Sequence, residues 1–423
     1  MADAVVSGSS PSAISEMNQA RIAQELYKRG TLSRAQIAKA LGLTAPAISK
    51  LAGRMIEDGL VRETGDMPGL GHRRSIGMQL ESSRYRVIGV KFARSRVQFG
   101  IFDLAGNPLQ QSELPPVSEQ SIPQTVQAVK DHIQQALDHD RSIVAVGIAV
   151  PGPYLRHEGQ IALVTSMQGW RGVNFIQSFG QAFSVPTFIE QDARAGALAQ
   201  SLFAPQNSSP NLAYYLVGEG VGLGVIEQGR LINGERGGAT ELGHISVDVN
   251  GRACECGNRG CLERYCSAVA IHKAMCQPPY EGLFPEAEHL SHAAACQMLF
   301  YRAAQGDEAA SRLVAQTAAC VGYGCVTIIN AFNPSHIIIG DIVAGAGQTL
   351  LETVQRIVAE RALPELKAQT EISLSALPAD ATLMGAAAVA VSHFLQDPTH
   401  FASILRQRQV AKNKPPTTPP KNG

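Results

Sequence analysis

The sequence predicts an α/β protein in which an N-terminal winged helix-turn-helix precedes a larger two-lobed α/β body. Short helical stretches punctuated by glycine fill the first 60 residues, and strand-like and helix-like stretches alternate from Tyr85 onward. Ile143 to Val150 is a nearly continuous apolar run, which is typical of a strand buried on both faces of an α/β sheet. With 423 residues, 45% of them hydrophobic, the chain can form more than one domain.

Capping residues predict the helices of the N-terminal domain, which we place at 15–82 after a disordered segment, 1–14. Ser33 and Thr44 are suitable N-caps, and Gly30, Gly42 and Gly59 follow the three helical stretches. The short turn at Gly42 indicates a helix-turn-helix. The predicted helices are Ser15–Arg29, Arg34–Leu41 and Ala45–Asp58.

Two predicted strands, Leu60–Glu63 and Ile76–Leu80, flank a glycine-rich turn that carries His72, Arg73 and Arg74. This arrangement is typical of a basic wing.

Lys plus Arg and Asp plus Glu both number 36, which excludes a wholly basic nucleic-acid-binding protein. From Asn18 to Met55, however, there are seven basic residues and one acid, a local balance of 7 − 1 = +6 that suits a phosphate backbone.

We therefore expect a winged-helix DNA-binding domain whose third helix enters the major groove. A helical protein-docking module is the alternative, and it explains the amphipathic helices but not the one-sided charge. The expected DNA contacts are Ser33, Arg34, Thr44, Ala45, Pro46, Ser49, Lys50, Arg54, His72, Arg73 and Arg74.

The body divides into a first lobe at 83–192 and a second lobe at 193–396, whose last helix is a candidate to return to the first lobe. A basic, proline-rich tail at 397–423 is expected to be disordered from about Arg406. Predicted strands are Val87–Phe92, Val97–Leu104, Ile143–Val150, Thr187–Ile189, Ala213–Val217, Gly222–Glu227, His336–Ile339 and Glu371–Leu377. Predicted helices are Thr125–Leu137, Ala193–Phe203, Glu308–Ala331, Leu350–Ala362 and Leu383–Leu395.

His244, Cys254, Cys256 and Cys261 supply one imidazole and three thiolates within 18 positions, the ligand set of a structural zinc site. Gly257 and Gly260 permit the positive φ values of a tight knuckle. The alternative is three buried cysteines beside a core histidine. The other five cysteines lie in apolar or helical surroundings and are expected to be reduced thiols. The start has no basic leader and no run of 18 apolar residues appears, so we expect a cytoplasmic protein without membrane insertion.

These motifs together resemble the ROK family of repressors, open reading frames and sugar kinases, from about Ser15 to Leu395. The resemblance rests on the helix-turn-helix, the glycine-rich run Gly218–Gly224, the triplet Glu190-Gln191-Asp192 and the Glu241-to-Glu263 zinc segment. It implies an actin-like ATPase (ribonuclease H-like) body of the sugar-kinase type. Because a DNA-binding domain is present, the chain is similar to the family's glucose, xylose and N-acetylglucosamine repressors.

Three departures from the kinases of the family predict that this protein is not an enzyme. Where the kinases carry Asp-x-Gly-Gly-Thr, the matching positions are Lys91, Ala93, Arg94 and Ser95. Glu219 replaces a threonine in the second phosphate loop, where a carboxylate would repel a polyphosphate by about 1 to 4 kcal/mol. Asp341-Ile342 replaces glycines near the adenosine.

The sugar-binding positions are better kept. By resemblance, Glu241, His244 and Glu263 would bind sugar hydroxyls, and Asp192, the kinases' catalytic base, would act as a hydrogen-bond acceptor. Asp192 is alternatively the N-cap of the following helix. Ser166 and Gln191 replace residues that are usually asparagine.

The sequence thus predicts a zinc-containing repressor of carbohydrate genes that binds operator DNA as a homodimer or homotetramer and responds to a sugar or sugar phosphate. An active sugar kinase with a regulatory DNA domain is one alternative. A repressor controlled by a sugar-transport protein is another.

Overall fold

The structure, a computed structural model, describes residues 10–67, 75–162, 167–204, 209–378 and 380–412. The predicted wing residues His72, Arg73 and Arg74 and the predicted effector residue Ser166 lie outside the described residues.

Three helices and a three-stranded sheet form the N-terminal domain. The first helix begins at Pro11, because Ser10 Oγ accepts a hydrogen bond from the Ala13 amide and proline suits the first helical turn. The prediction of disorder over 1–14 is therefore wrong for residues 11–14. Antiparallel strands pair in the order β1-β3-β2. The elements are α1 (Pro11–Arg29), β1 (Leu32–Ser33), α2 (Arg34–Leu41), α3 (Ala45–Glu57), β2 (Val61–Met67) and β3 (Ser75–Leu80).

A five-stranded sheet of order β10-β7-β4-β5-β6 forms the first lobe. The first three strands in that order are parallel and the last two pair antiparallel. All eight residues of the central strand, Ile143–Val150, are buried, as its continuous apolar sequence predicted. The elements are β4 (Arg86–Phe92), β5 (Val97–Asp103), β6 (Pro108–Glu113), α4 (Ile122–His139), β7 (Ile143–Val150), β8 (Tyr154–Leu155), β9 (Gln160–Ile161), α5 (Phe175–Phe179), β10 (Thr187–Gln191) and α6 (Asp192–Phe203).

A second five-stranded sheet, of order β13-β12-β11-β14-β15, forms the second lobe, and β11, β14 and β15 run parallel. Among the described residues, one helix, Glu308–Phe332, is long and apolar enough to span a membrane, and 56% of its most apolar window is buried against the protein. The elements are β11 (Leu212–Val217), β12 (Val221–Glu227), β13 (Arg230–Leu231), α7 (Glu263–Cys266), α8 (Ala268–Met275), α9 (His292–Ala304), α10 (Glu308–Phe332), β14 (His336–Gly340), α11 (Gly347–Arg361), α12 (Pro364–Lys367) and β15 (Glu371–Leu374).

Two further helices, α13 (Ala381–Gln396) and α14 (Pro398–Lys412), complete the described chain. Helix α13 packs against α6 and against β4, β7 and β10 of the first sheet. The tail was predicted to be disordered from about Arg406, and this is wrong for residues up to Lys412. Helix α14 extends to Lys412 and buries Phe401 and Leu405 in the core.

The N-terminal domain is fastened to the body through α1. Gln24 Nε2 donates a hydrogen bond to the carbonyl of Leu395 at 3.1 Å, and Tyr27 Oη donates to the carbonyl of Leu104 at 2.8 Å. Buried residues of the N-terminal domain and of the first lobe belong to one continuous hydrophobic core. The N-terminal domain and the first lobe are therefore packed together rather than merely linked.

Candidate effector pocket, metal centre and DNA interface

A cleft between the two sheets collects most of the predicted effector residues. Its wall includes Gln191 and Asp192 at the junction of β10 and α6, together with Glu241, His244 and Glu263 from the segment after β13. We call these five residues the acid side of the pocket. Long-range folding thus brings together side chains that are up to 72 positions apart in the sequence.

Burial strongly affects the carboxylates of the acid side. It raises the pKa of Asp192 to about 6 and that of Glu241 to about 8. Oε1 of Glu241 is buried without a hydrogen-bond partner among the described residues. A buried acceptor without a partner is costly, so this oxygen is suited to a ligand that supplies the missing bond.

Helix α6 is capped by Gln191 rather than by Asp192, which corrects the alternative role considered for Asp192. Gln191 Oε1 accepts a hydrogen bond from the Arg194 amide at 2.9 Å. Asp192 is the first residue of the helix, and its Oδ1 accepts from the Ala193 amide at 2.7 Å. Capping therefore occupies the Gln191 oxygen and one Asp192 oxygen, and the second Asp192 oxygen is left for a ligand.

A buried ion pair supports β10 from behind. Glu190, 1% exposed, accepts a hydrogen bond from Arg194 Nε at 2.8 Å and also pairs with Arg156. This pair was not among the predicted site residues. The i, i+4 spacing of Glu190 and Arg194 across a strand-to-helix junction is the signal that could have found it.

The opposite wall, which we call the lysine side, consists of Lys91, Arg94, Glu219, Gly220 and Asp341. Lys91 is 4% exposed, and its Nζ lies 2.7 Å from Asp380 Oδ2 and 3.4 Å from Asp341 Oδ2. Burial alone would lower the pKa of Lys91, but the two carboxylates outweigh it and hold the pKa above its usual value. The ammonium is therefore charged and is paired with two carboxylates of its own chain.

Protein side chains also cover the glycines of the second loop. A Cβ atom on Gly220 would lie 2.6 Å from a guanidinium nitrogen of Arg94, and one on Gly218 would lie 2.7 Å from Asp341 Oδ1. Arg94 in turn lies 3.9 Å from Glu263 of the acid side. An arginine and an aspartate of the same chain therefore lie directly against the two glycines, and the Gly218 amide donates a hydrogen bond to the Gly220 carbonyl at 2.9 Å.

The four predicted metal ligands form a compact cluster, in which one ligand atom from each residue lies within 4.8 Å of every other. The Sγ atoms of Cys256 and Cys261 are 3.5 Å apart, and Cys254 Sγ is 3.9 Å from His244 Nδ1. A tetrahedral zinc ion with bonds of about 2.3 Å holds its sulfur ligands roughly 3.8 Å apart. The donor set and the spacing both fit such an ion.

Charge repulsion within the cluster also favours a bound cation. Burial and the neighbouring thiols of Cys256 and Cys254 raise the pKa of Cys261 to about 12, so three thiolates would not coexist here without a counter-ion. Gly257 and Gly260 have φ values of +91° and +70°, as predicted for the knuckle. A Cβ on Gly260 would lie 1.8 Å from the carbonyl oxygen of Asp248, so a side chain there is excluded.

Helix α3 has the two faces expected of a recognition helix. Ile48, Leu51, Ala52 and Met55 are buried at i, i+3, i+4 and i+7 against the domain core. On the other side, the expected DNA contacts Thr44, Ala45, Pro46, Ser49, Lys50 and Arg54 are all exposed. Thr44 also caps the helix by accepting from the Ala47 amide at 3.4 Å.

Two residues expected at the DNA are otherwise engaged. Ser33 is 5% exposed, and its Oγ accepts from the Gln36 amide as the N-cap of α2, so its assignment to the DNA interface is wrong. Arg34 is partly exposed and pairs with Glu63 Oε1 at 2.7 Å, so a phosphate would have to compete with this carboxylate. The sequence revealed the cap at Ser33 but not the Arg34 partner, which lies 29 positions away.

Family models match both parts of the chain. A model described as "ROK family" matches residues 87–393, and one described as "MarR family" matches residues 15–66. The xylose repressor of Bacillus spizizenii is 26% identical over 388 residues, which cover 90% of this chain and 97% of that protein. The DNA-binding transcriptional dual regulator NagC of Escherichia coli K12 is 26% identical over 378 residues, which cover 86% of this chain and 90% of NagC.

Solved structures share the fold. A ROK family transcriptional regulator described as a homolog of the E. coli MLC protein superposes with a TM-score of 0.74 at 24% identity, covering 94% of this chain and 99% of that one. A ROK family glucokinase from Streptomyces griseus, solved with glucose and AMPPNP, has a TM-score of 0.61 at 24% identity and covers 71% of this chain and 98% of its own. Both repressors and kinases are therefore built on this body. Since the family model spans more than half of the sequence, this chain belongs to the ROK family and carries a MarR-type helix-turn-helix domain at its N-terminus.

Proposed function

We propose that this protein is a cytoplasmic transcriptional repressor of carbohydrate uptake or catabolism genes, that a sugar or sugar derivative controls its DNA binding, and that it has no sugar kinase activity. The observation that carries this proposal is the contrast within one pocket. The acid side presents Glu241 Oε1, a buried acceptor without a hydrogen-bond partner among the described residues, whereas Lys91 on the lysine side is paired with two carboxylates of the same chain. A DNA-binding domain packs on the same body, so a ligand in the pocket can change DNA binding.

The acid side supports a ligand with several hydroxyl groups. Glu241 with a pKa of about 8 is protonated at neutral pH and can donate one hydrogen bond as well as accept others. Glu263 and the second Asp192 oxygen are acceptors. A polyol satisfies donors and acceptors together, which a simple anion or cation does not.

An active kinase is the main rival, and the lysine side argues against it. Magnesium and nucleotide phosphates would have to displace a buried lysine from two carboxylates and an arginine from Gly220. A coupled ADP-release assay with xylose, glucose and N-acetylglucosamine tests this directly. We expect no ADP above the no-sugar control, and turnover with any of the three would contradict the proposal.

We propose zinc as the ion held by His244, Cys254, Cys256 and Cys261. Three thiolates and one imidazole suit zinc and leave no open position for chemistry, so the ion would fold the loop that carries Glu263. Measuring metal content in the purified protein tests this assignment, and a chain that folds and binds DNA with less than stoichiometric metal would contradict it.

The DNA interface is tested by salt dependence. We expect Arg54→Ala to weaken binding to a labelled duplex from the chain's own upstream region and to flatten the plot of log affinity against log salt by about one unit. Arg62→Ala is the control, since Arg62, like Arg54, is exposed and makes one side-chain hydrogen bond within the domain, but it lies on β2 rather than on α3. Equal behaviour of both variants would instead favour the protein-docking alternative.

Operators of such domains are commonly two-fold, and we propose a homodimer or homotetramer accordingly. Control by a sugar-transport protein is the second rival. It would be favoured if none of the sugars or their 6-phosphates released the DNA while the purified transport protein did.

A further inference from the structure

Helix α13 connects the lysine side of the pocket with the DNA-binding domain. Its 16 residues span roughly 24 Å at about 1.5 Å per residue. We propose that Asp380, which precedes this helix, is the positioning residue that transmits the state of the pocket to α1 and α3. This inference rests on the proposed function, whose regulation it specifies.

At the pocket end, the Asp380 carboxylate makes two kinds of contact. Oδ1 accepts hydrogen bonds from the Thr382 and Leu383 amides at 2.9 and 3.0 Å, which fixes the first turn of α13. Oδ2 accepts from Lys91 Nζ at 2.7 Å. A single planar carboxylate makes both contacts. A movement of Lys91 therefore shifts this carboxylate and the hydrogen bonds that hold the first turn of α13.

Along its length, the backbone of α13 lies in direct contact with the backbones of β7 and α6. A Cβ on Gly147 of β7 would lie 1.8 Å from the Ala386 carbonyl oxygen, and one on Gly385 of α13 would lie 2.4 Å from the Ala195 carbonyl carbon of α6. The first residue of α6, Asp192, lines the acid side. Helix α6 starts at the pocket and α13 starts behind the lining residue Lys91, and the close contact between the two helices favours movement as one body over independent bending.

At the other end, α13 and α14 hold the DNA-binding domain at two points. The Leu395 carbonyl accepts the hydrogen bond from Gln24 of α1 at 3.1 Å. Helix α14 follows directly, and its Arg406 pairs with Asp58, the residue that ends α3. Buried Arg408 anchors α14 to the first lobe through Leu137 O and Ser184 Oγ, each at 2.7 Å. A shift of α13 would therefore move α1 through the Gln24–Leu395 hydrogen bond. It would also move α3 through the contact between Arg406 of α14 and Asp58.

A ligand acts on this connection by competing for Lys91. Its ammonium has three donors, and two are engaged by Asp380 and Asp341. A ligand oxygen placed beside Lys91 strengthens or replaces one of these contacts, and binding then favours the helix position in which that contact is best. The ligand needs no contact with the DNA-binding domain to change its arrangement.

Asp380→Asn in the full-length protein tests the role of the carboxylate. Asparagine caps helices as well as aspartate does, so the first turn of α13 is retained while the charge that binds Lys91 is lost. The matched control is Asp307→Asn, because Asp307 caps α10 through the Ala309 and Ala310 amides at 2.9 and 3.0 Å and pairs with Arg302, far from α13. The readout is hydrogen exchange of α1, α3 and α13 by mass spectrometry, without sugar or DNA.

We expect Asp380→Asn to speed exchange of α1 amides about tenfold, the effect of losing one charge-assisted contact on local opening. Asp307→Asn should leave α1 unchanged at a similar thermal stability. Faster exchange confined to the first turn of α13, or equal effects of both variants on α1, would overturn the inference. A wild-type protein that ignores xylose, glucose and N-acetylglucosamine in DNA binding would contradict the proposed function instead, since the exchange measurement uses neither ligand nor DNA.

Discussion

The acid side and the lysine side of the pocket hold similar numbers of charged residues but satisfy them differently. Glu241 on the acid side keeps a buried oxygen without a partner and holds its proton to a pKa of about 8. Lys91 on the lysine side is paired with two carboxylates of its own chain. The acid side therefore has an acceptor that a ligand can satisfy, whereas the positive charge on the lysine side is already neutralised by the protein, which favours a receptor over a phosphotransferase.

The largest expected effect on thermal stability comes from the metal cluster, which includes His244 of the acid side. Cys256→Ser removes one of the four proposed ligands, and a structural zinc ion would supply folding free energy on the order of 10 kcal/mol. We expect a fall in Tm of at least about 10 °C, since each kcal/mol moves the Tm of a domain this size by about 2–4 °C. Differential scanning calorimetry measures the change.

Cys276→Ser is the control for the same chemistry, because Cys276 is a free thiol outside the cluster. We expect it to leave Tm and metal content unchanged. Equal Tm values for Cys256→Ser and wild type in zinc-supplemented buffer would show that the stability of this segment does not depend on a metal.

The next largest effect is expected on the lysine side. Lys91→Met leaves Asp341 and Asp380 facing each other without their counter-ion, and breaking a buried ion pair from one side costs about 3 to 5 kcal/mol. Urea denaturation measures the loss. The triple variant Lys91→Met/Asp341→Asn/Asp380→Asn removes the orphaned charges and should recover more than half of it. A Lys91→Met variant as stable as wild type would mean that the lysine side is not closed by this pair.

On the acid side, replacing Glu241 is expected to have a smaller, pH-dependent effect on the free energy of unfolding. Its folded pKa is about 8 against an ordinary value of 4.5, so the folded protein keeps a proton that the unfolded chain releases in this interval. The free energy of unfolding should therefore fall with rising pH across it, by at most about 1.4 kcal/mol per pH unit. Glu241→Gln should flatten that slope and gain stability relative to wild type above pH 8. Parallel stability curves for the two proteins would contradict the burial of this carboxyl group.

The smallest effect is expected from restoring one kinase-like residue. Glu219→Thr removes the acid from the second loop but leaves Lys91, Asp341 and Asp380 in place. We expect no ADP release and unchanged thermal stability in the presence of magnesium ATP. Turnover in this variant would show that a single carboxylate, rather than the ion-paired lysine, separates the two functions.

Local signals in the sequence predicted much of this structure. Ile143–Val150 and Arg34–Leu41 have the predicted bounds, because continuous burial and a capping box are encoded by neighbouring residues. The metal cluster was predicted for the same reason, since its ligands lie within one loop. Helix α14 was missed because basic residues and prolines dominate the tail, although Phe401, Ile404 and Leu405 follow helical spacing.

Contacts between distant residues could not be predicted in this way. Asp380 lies three positions before the predicted start of the last helix at Leu383, and its pairing with Lys91 joins positions 289 residues apart. Spacing carries no information at that range without knowledge of the fold. The charge substitution at Lys91 predicted a damaged nucleotide site, and the structure adds that the protein itself neutralises the substituted charge.

The most direct test of the central claim is the affinity of the full-length protein for a fluorescent duplex from its upstream region, titrated with sugars in the presence and absence of magnesium ATP. We expect one sugar or sugar 6-phosphate to weaken DNA binding at least about tenfold, on the scale of ordinary allosteric coupling, and ATP to leave the DNA affinity unchanged. Release of DNA that requires ATP, with ADP appearing in step, would contradict it.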